Sequence, residues 1–469
     1  MHTHRVQFLV MILGLAVGLA GCATFHAQPI APAQTAAAFQ ARRLDDSGLR
    51  KFLGANLHRE FTAWPPREWT LETLTFAAFY SHPDLEVARA HVDVAQAGIR
   101  TAGARPNPTI QLTPGYNIDA PSATPPWLMG LTFDVPIETA GKRGYRIAHA
   151  RQLTEAARLE LAETAWRVRS RLRVALAEHL LARRELDLLR AEEKLRSEVF
   201  PLTERRYAVA RVSLNELNEA RAELSRTRLS LRAAEGRITE TKIALAAALG
   251  LPVSAVEGIS LVWPEMDSPP AEEGVSPEAI QCAGLLNRLD IRRSLAEYAA
   301  AEALLQLEIA KQYPDLQLGP GYDFDAGDNK FSLGISLTLP ILNQNQGPIA
   351  QAKARRKEEA ARFLALQAKI IHELEHALAQ YRAALGELQE ANRAVVEFRK
   401  VQIQMEERFA SGGIDPLVFS QLLLRRVEAT RARLEALSKT QRALGALEDT
   451  LQRPLEGTLA VPNLESVTR

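Results

Sequence analysis

His372-Glu373-Leu374-Glu375-His376 has the residue types and spacing of a zinc-binding catalytic helix. Two imidazoles one turn apart can share a metal ion, and the first glutamate could act as a general base. A third ligand is then needed. No histidine follows His376, so a carboxylate such as Glu387 or Glu390 would have to serve. The surrounding stretch is charged and helical, without sign of a cleft. The pair therefore reads as a solvated helical face, with no catalytic residue, metal or cofactor assigned, and the chain is read as not an enzyme. A second candidate is the basic run Arg167-Val168-Arg169-Ser170-Arg171-Leu172-Arg173. Val and Leu recur in it at helical spacing, which predicts the solvated face of a coiled coil. Net charge is only +1, with acids and bases interleaved, so the basic face that nucleic acid requires is missing.

The remaining chemistry lies at the N-terminus. His2, His4 and Arg5 precede an apolar run from Val6 to Ala20 that ends in Leu19-Ala20-Gly21-Cys22. The run is too short for a comfortable bilayer span and stops at small residues, the pattern of a secretory signal rather than a membrane anchor. Leu-Ala-Gly-Cys resembles the bacterial lipobox, whose cysteine is acylated before cleavage. Cys22 is thus expected to carry lipid, residues 1–21 to be a signal peptide and 22–69 an extended, lipidated tether. By analogy with the lipoproteins that this stretch resembles, Ala23 after the cysteine, in place of Asp, implies the outer membrane rather than retention at the inner one. Cys282, the only other cysteine, reads as a buried inert thiol.

The elements that follow are duplicated. Pro108-Thr109-Ile110-Gln111-Leu112-Thr113-Pro114-Gly115-Tyr116-Asn117-Ile118-Asp119 is echoed by Pro314-Asp315-Leu316-Gln317-Leu318-Gly319-Pro320-Gly321-Tyr322-Asp323-Phe324-Asp325, 206 residues later. Trp127 to Ile137 matches Phe331 to Ile341, with Gly and Pro-Ile aligned. Self-similarity at a fixed offset marks a tandem repeat. Residues 70–252 are read as the first copy, 253–275 as a linker, 276–453 as the second copy and 454–469 as a tail. Each copy reads helix, strand, strand, long helix, turn, long helix, with strands about 107–118 and 127–137, then 314–325 and 331–341.

The strands alternate with period two and are about the length of a tilted membrane strand. Ile110, Leu112, Tyr116 and Ile118 oppose Gln111 and its polar neighbours. Phe331, Leu333, Ile335, Leu337 and Leu339 oppose Ser332, Gly334, Ser336 and Thr338. Gln111, Thr132, Gln317 and Ser336 are assigned to a water-filled lumen. A soluble half-buried sheet would show the same pattern, but four strands cannot close a barrel and would leave exposed edges unless several subunits pooled them. Past the signal no apolar run approaches a spanning helix, so if the chain crosses a membrane it must do so as a closed barrel. From Tyr145 to Val199 there is neither Gly nor Pro, while Leu161, Val168 and Ala175, like Ala165 and Leu172, recur every seven residues. Such heptads predict long coiled-coil helices, with a possible break at Pro201.

This arrangement behind a lipobox resembles the TolC-like outer-membrane factor family over essentially the whole mature chain. Pro136-Ile137-Glu138 leading to Gly141-Lys142-Arg143-Gly144-Tyr145-Arg146 resembles the post-strand stretch of the heavy-metal (CzcC-like) branch. So does Leu339-Pro340-Ile341 leading to Asn343-Gln344-Asn345-Gln346-Gly347, although Gln344 stands where Arg is usual. The resemblance implies an α+β membrane protein: a homotrimer with a twelve-stranded β-barrel, continued by a helical coiled-coil tunnel into the periplasm. It implies a gated, passive efflux conduit, fed by an inner-membrane pump, often of the resistance-nodulation-division type, through a periplasmic adaptor. The adaptor would grip the helix tips at Arg211, Val212, Ser213 and Leu214 and at Gly412, Gly413, Ile414 and Asp415. Gly412-Gly413 keeps the family's glycine at the turn; Ala210-Arg211 replaces it in the first tip. Where relatives carry an acidic constriction, Val418 and Gln421 stand here, with Asp415 the nearest acid. A type I secretion duct and a structural envelope lipoprotein are the alternatives.

Overall fold

The computed structural model describes residues 23–271 and 288–455. Cys22 and Cys282, and with them the lipidation and buried-thiol expectations, lie outside the described residues. Residues up to Arg42 form a unit of their own, whose described part carries one short helix, α1 (Pro32–Gln40), with no buried side chain.

The second unit begins at Arg43. Its elements are α2 (Ser47–Leu57), α3 (Leu71–Ser81), α4 (Pro83–Gly103), β1 (Thr109–Tyr116), β2 (Trp127–Ile137), α5 (Lys142–Ala208) and α6 (Leu214–Leu249). They continue as α7 (Leu289–Ala310), β3 (Leu316–Asp325), β4 (Asp328–Leu337), α8 (Gln346–Ala410) and α9 (Pro416–Leu451). Short 3-10 turns at Val253–Val256 and Pro264–Asp267 follow α6. The single helix expected ahead of the first strand is instead two, divided at His82, where Pro83 holds its predecessor in an extended conformation.

Much of the expected tether is folded instead. Leu44, Leu49, Leu53, Phe61 and Trp69 are buried in one core with residues of α3, α5 and the end of α6. Leu49 and Leu53 sit one turn apart on α2, so that helix buries an apolar stripe. Trp69 donates its amide to the Ser260 carbonyl and accepts from Val262, so residues around 69 and 261 also close on each other.

The long helices follow the heptads. Leu161, Ala165, Val168, Leu172 and Ala175 are all buried. α5 runs unbroken through Pro201 for 67 residues, about 100 Å of rise. One missing N–H does not end it, because the antiparallel partner α6 packs beside that turn, with Arg221 over the Phe200 ring and Glu223 paired with Arg196. α5 packs on α6, α8 on α9, and α5 against α9, so the two repeats share one four-helix layer ordered α6-α5-α9-α8.

Both hairpin tips use the same turn. Gly413 donates to the Arg408 carbonyl at 2.8 Å across Gly412, whose φ is +74°. Arg211 donates to the Arg206 carbonyl at 2.8 Å across Ala210, whose φ is +56°. This is the Schellman helix stop, and the first tip makes it despite its alanine. Ala210→Gly should remove that strain and stabilise the first hairpin by about 1 kcal/mol, read as a raised midpoint in chemical unfolding.

Candidate channel wall and contact surfaces

The four strands form a single antiparallel sheet in the order β1-β2-β3-β4. Its register sorts the side chains into two faces, because directly paired residues point the same way. One face carries rows such as Leu112–Leu131–Tyr322–Phe331 and Val135–Leu318–Ile335. The opposite face carries Gln111 beside Thr132, Thr132 beside Gly321, and Gln317 beside Ser336. The four positions assigned to a lumen thus lie together on the polar face. Asp134 and Asp323 lie there too, and a Cβ at Gly319 would come within 2.6 Å of Asp134 Oδ1. Glycine there is what leaves space for the carboxylate.

The apolar face is left open in the single protomer: Ile335 is 70 % exposed and Phe331 84 %. Its Tyr and Trp residues lie toward the hairpin loops. Tyr116 meets Trp127 edge-on at 5.0 Å, and Tyr322 lies 5.3 Å from Phe331. Tyr and Trp at one end of an apolar band are the mark of a membrane interface. β3 and β4 are joined by Ala326-Gly327 with φ of +53° and +99°, a two-residue hairpin whose twist suits the strands. That tight turn starts β4 at Asp328, earlier than the expected 331, and the strand ends at Leu337, ahead of Pro340. β1 and β4 each have an unpaired edge among the described residues. Among those residues, no helix is long and apolar enough to cross a membrane.

The charged motifs after the strands clamp sheet to helices. Lys142, nearly buried, places Nζ 2.7 Å from Asp315 Oδ1, just before β3. Thr139 donates its amide to the same oxygen at 2.9 Å and its hydroxyl to the Pro314 carbonyl. Burial alone would raise the Asp315 carboxyl, but Lys142 and Thr139 hold it below its usual range. Arg146 grips Glu138 with both terminal nitrogens, while Arg143 and Arg146 donate to the carbonyls of Ala102, Gly103 and Ala104 that end α4. In the second repeat Asn345 makes the corresponding contact, donating to the carbonyl and the carboxylate of Glu308 near the end of α7.

At the tips, Ser213 and Glu216 close a capping box on α6. Asp415 caps α9 through the Leu417 amide and also accepts from Arg206, so the two tips are tied together. Both contacts, the Leu417 amide first, hold its carboxyl below the usual range. Asp415 is thereby committed to the turn. Phe409 and Phe419 stack at 4.5 Å across the second tip.

Residues 77–251 and 283–451 match the Outer membrane efflux protein family, one segment for each repeat. The chain belongs to that family. It is 27 % identical over 299 residues to the cobalt-zinc-cadmium resistance protein CzcC of Cupriavidus metallidurans, covering 63 % of this chain and 69 % of that one. It is 25 % identical over 420 residues to the pyoverdine export outer membrane protein OpmQ of Pseudomonas putida, covering 81 % and 86 %. In fold it is similar to the outer membrane protein VceC of Vibrio cholerae, with a TM-score of 0.63, 22 % identity and coverage of 82 % and 97 %. CusC matches with a TM-score of 0.64 at 17 % identity over 92 % and 99 %. Membership makes this chain an outer-membrane efflux channel protein of the TolC-like kind and not an enzyme, in a family that works with periplasmic adaptors and inner-membrane pumps.

In this efflux protein the arginine run is only half solvated. Arg169 and Arg173 are 5 % and 3 % exposed and converge on Glu448 of α9, at 3.1 and 3.3 Å. Arg173 also donates to both oxygens of Gln441, and Asp449 accepts from Ser170 and Trp166. Burial pushes the Asp449 carboxyl up, against those two hydrogen bonds. Farther along, buried Glu192 of α5 meets Arg196, Thr227 of α6 and Arg431 of α9. A run of arginines at alternate positions looked like one solvated face; the acids that bury half of it lie in the other repeat. The available signal was Glu448-Asp449 set between Leu444, Leu447 and Leu451, two acids inside an apolar stripe. His372 and His376 are both exposed on α8, and Glu387, a candidate third ligand, pairs with Lys439.

Proposed function

We propose that three copies of this chain pool their strands into one twelve-stranded barrel in the outer membrane, continued by a twelve-helix periplasmic tunnel, as a gated passive conduit. The observation that carries this is the sheet register. It sets a continuous apolar face against a polar one and leaves both edges open, which only closure between subunits removes. In this reading the apolar face meets lipid, and Gln111, Thr132, Gln317 and Ser336 line the aqueous lumen. Cys22 carries the lipid anchor. The tips around Arg211, Val212, Ser213 and Leu214 and around Gly412, Gly413, Ile414 and Asp415 receive the periplasmic adaptor. An inner-membrane pump of the resistance-nodulation-division type supplies the energy. Heavy-metal cations are the proposed cargo, supported by the similarity to CzcC and by the post-strand motifs.

The test is the oligomeric mass of the mature protein in detergent, followed by single-channel recording of the same sample in planar bilayers. A trimer that conducts is expected. A water-soluble monomer without conductance would overturn the barrel.

A further inference from the structure

His372 and His376 are used by neither the barrel, the tips nor the junction. They lie one turn apart on α8, both exposed, with the His372 side chain 82 % accessible. Their i, i+4 spacing lets two imidazoles reach one ion, and Leu374, Ala377 and Leu378, packed in the core shared with α9, hold that turn in place.

The direction the pair faces is fixed by its neighbours. Tyr381 donates its hydroxyl to the Pro270 carbonyl, marking the side of α8 turned toward the 253–271 segment. At about 100° per residue, His372, His376, Ala383 and Glu387 fall within an arc of about 60° on the opposite side. α9 is divided the same way. Arg433 reaches Asp267, and Leu437 packs with Met266. Arg431, Glu435 and Arg442 instead line a cleft of about 880 Å³, which Gln380 and Ala383 of α8 also line. The four-helix layer thus has one face covered by the 253–271 segment and one open face bearing the cleft and both histidines. A conducting tunnel could not hold three copies of the covering segment. In the trimer, therefore, the open face is the inner wall, a step that rests on the proposed channel.

We propose that His372 and His376 form a binding site for a divalent transition-metal ion on the inner wall of the tunnel. Imidazole suits zinc, copper, nickel and cobalt. Among the described residues no group of three His, Cys, Asp or Glu is placed to hold a metal, so two imidazoles and water would complete the shell. Glu375 lies 3.9 Å from His372 Nδ1 and adds negative charge beside it. Open water positions make the ion exchangeable, as conduction requires of a site that must release what it binds.

The test uses the full trimer purified without a histidine tag and titrated with zinc chloride alone. One ion per protomer is expected. His372→Ala or His376→Ala should weaken binding by about tenfold or more, because the second imidazole acts at the high effective concentration set by the helix. Unchanged affinity in both variants would overturn the site. In planar bilayers zinc should lower the conductance of the wild type but not that of the double variant. Zinc binding without any change in wild-type conductance would overturn the inner-wall placement. Trimer mass and zinc-free conductance, expected to be the same in all variants, test the channel reading separately.

Discussion

Ile335→Arg is expected to destabilise the assembled barrel by about 2–4 kcal/mol per protomer, whereas Ser336→Arg, one residue along, should cost less than about 1 kcal/mol. The difference follows from period two. Ile335 stands directly beside Leu318, which shares its row with Val135, so a guanidinium there is surrounded by apolar side chains and, in the barrel, by hydrocarbon. Ser336 stands beside Gln317 on the other face, where an arginine reaches water. The position is severe because β4 is an edge strand. In the proposed barrel Ile335 also flanks the seam that closes against a neighbouring subunit, so the charge weakens packing as well as solvation. Unfolding of the reconstituted protein in denaturant, together with heat-modified migration of the trimer, reads both effects. Equal losses for the two variants would refute the assignment of faces, and a severe Ser336→Arg with a mild Ile335→Arg would invert it.

The features legible in the sequence are those that depend on local period. Alternation in Ile110 to Ile118 and in Phe331 to Leu339 locates strands because a pleated strand exposes every second side chain to one environment. Leu161, Val168 and Ala175 locate a long helix because a seam returns every seven residues, and duplication shows because both halves retain it. What stayed hidden depends on partners distant in sequence or on sparse patterns. Leu44, Leu49, Leu53 and Phe61 are too few among charged neighbours to announce a folded layer; they are buried because the end of α6 returns beside them. Ala210 conceals a left-handed turn that glycine would have advertised. Arg169 and Arg173 looked solvated because their acceptor lies in the other repeat. For the candidate site, the shared polar face of Gln111, Thr132, Gln317 and Ser336 followed from alternation, while the direction in which His372 and His376 face required the whole helix layer.

That distant partner gives the second large effect. Glu448→Ala should destabilise the helical layer by about 3–5 kcal/mol, the cost of leaving buried guanidinium groups without their counter-charge. Arg169 and Arg173 both turn to this carboxylate, and all three side chains are 6 % exposed or less. Arg169 Nε already lacks a hydrogen-bond partner among the described residues, so the cluster has little slack to absorb the loss. Relaxation toward water is also blocked. Trp166 lies against Arg169 and Trp263 against Arg173, with guanidinium carbons 4.8 and 5.3 Å from the ring centres. Glu358→Ala provides the contrast, since its partner Arg362 is 63 % exposed and such surface pairs are worth under about 1 kcal/mol. Urea unfolding followed by the far-ultraviolet helical signal separates the two variants. Equal, small losses would mean that water reaches the Arg169–Arg173–Glu448 cluster. A large loss confined to Glu448→Ala would make this cluster the bolt between α5 and α9, and hence between the two copies of the repeat.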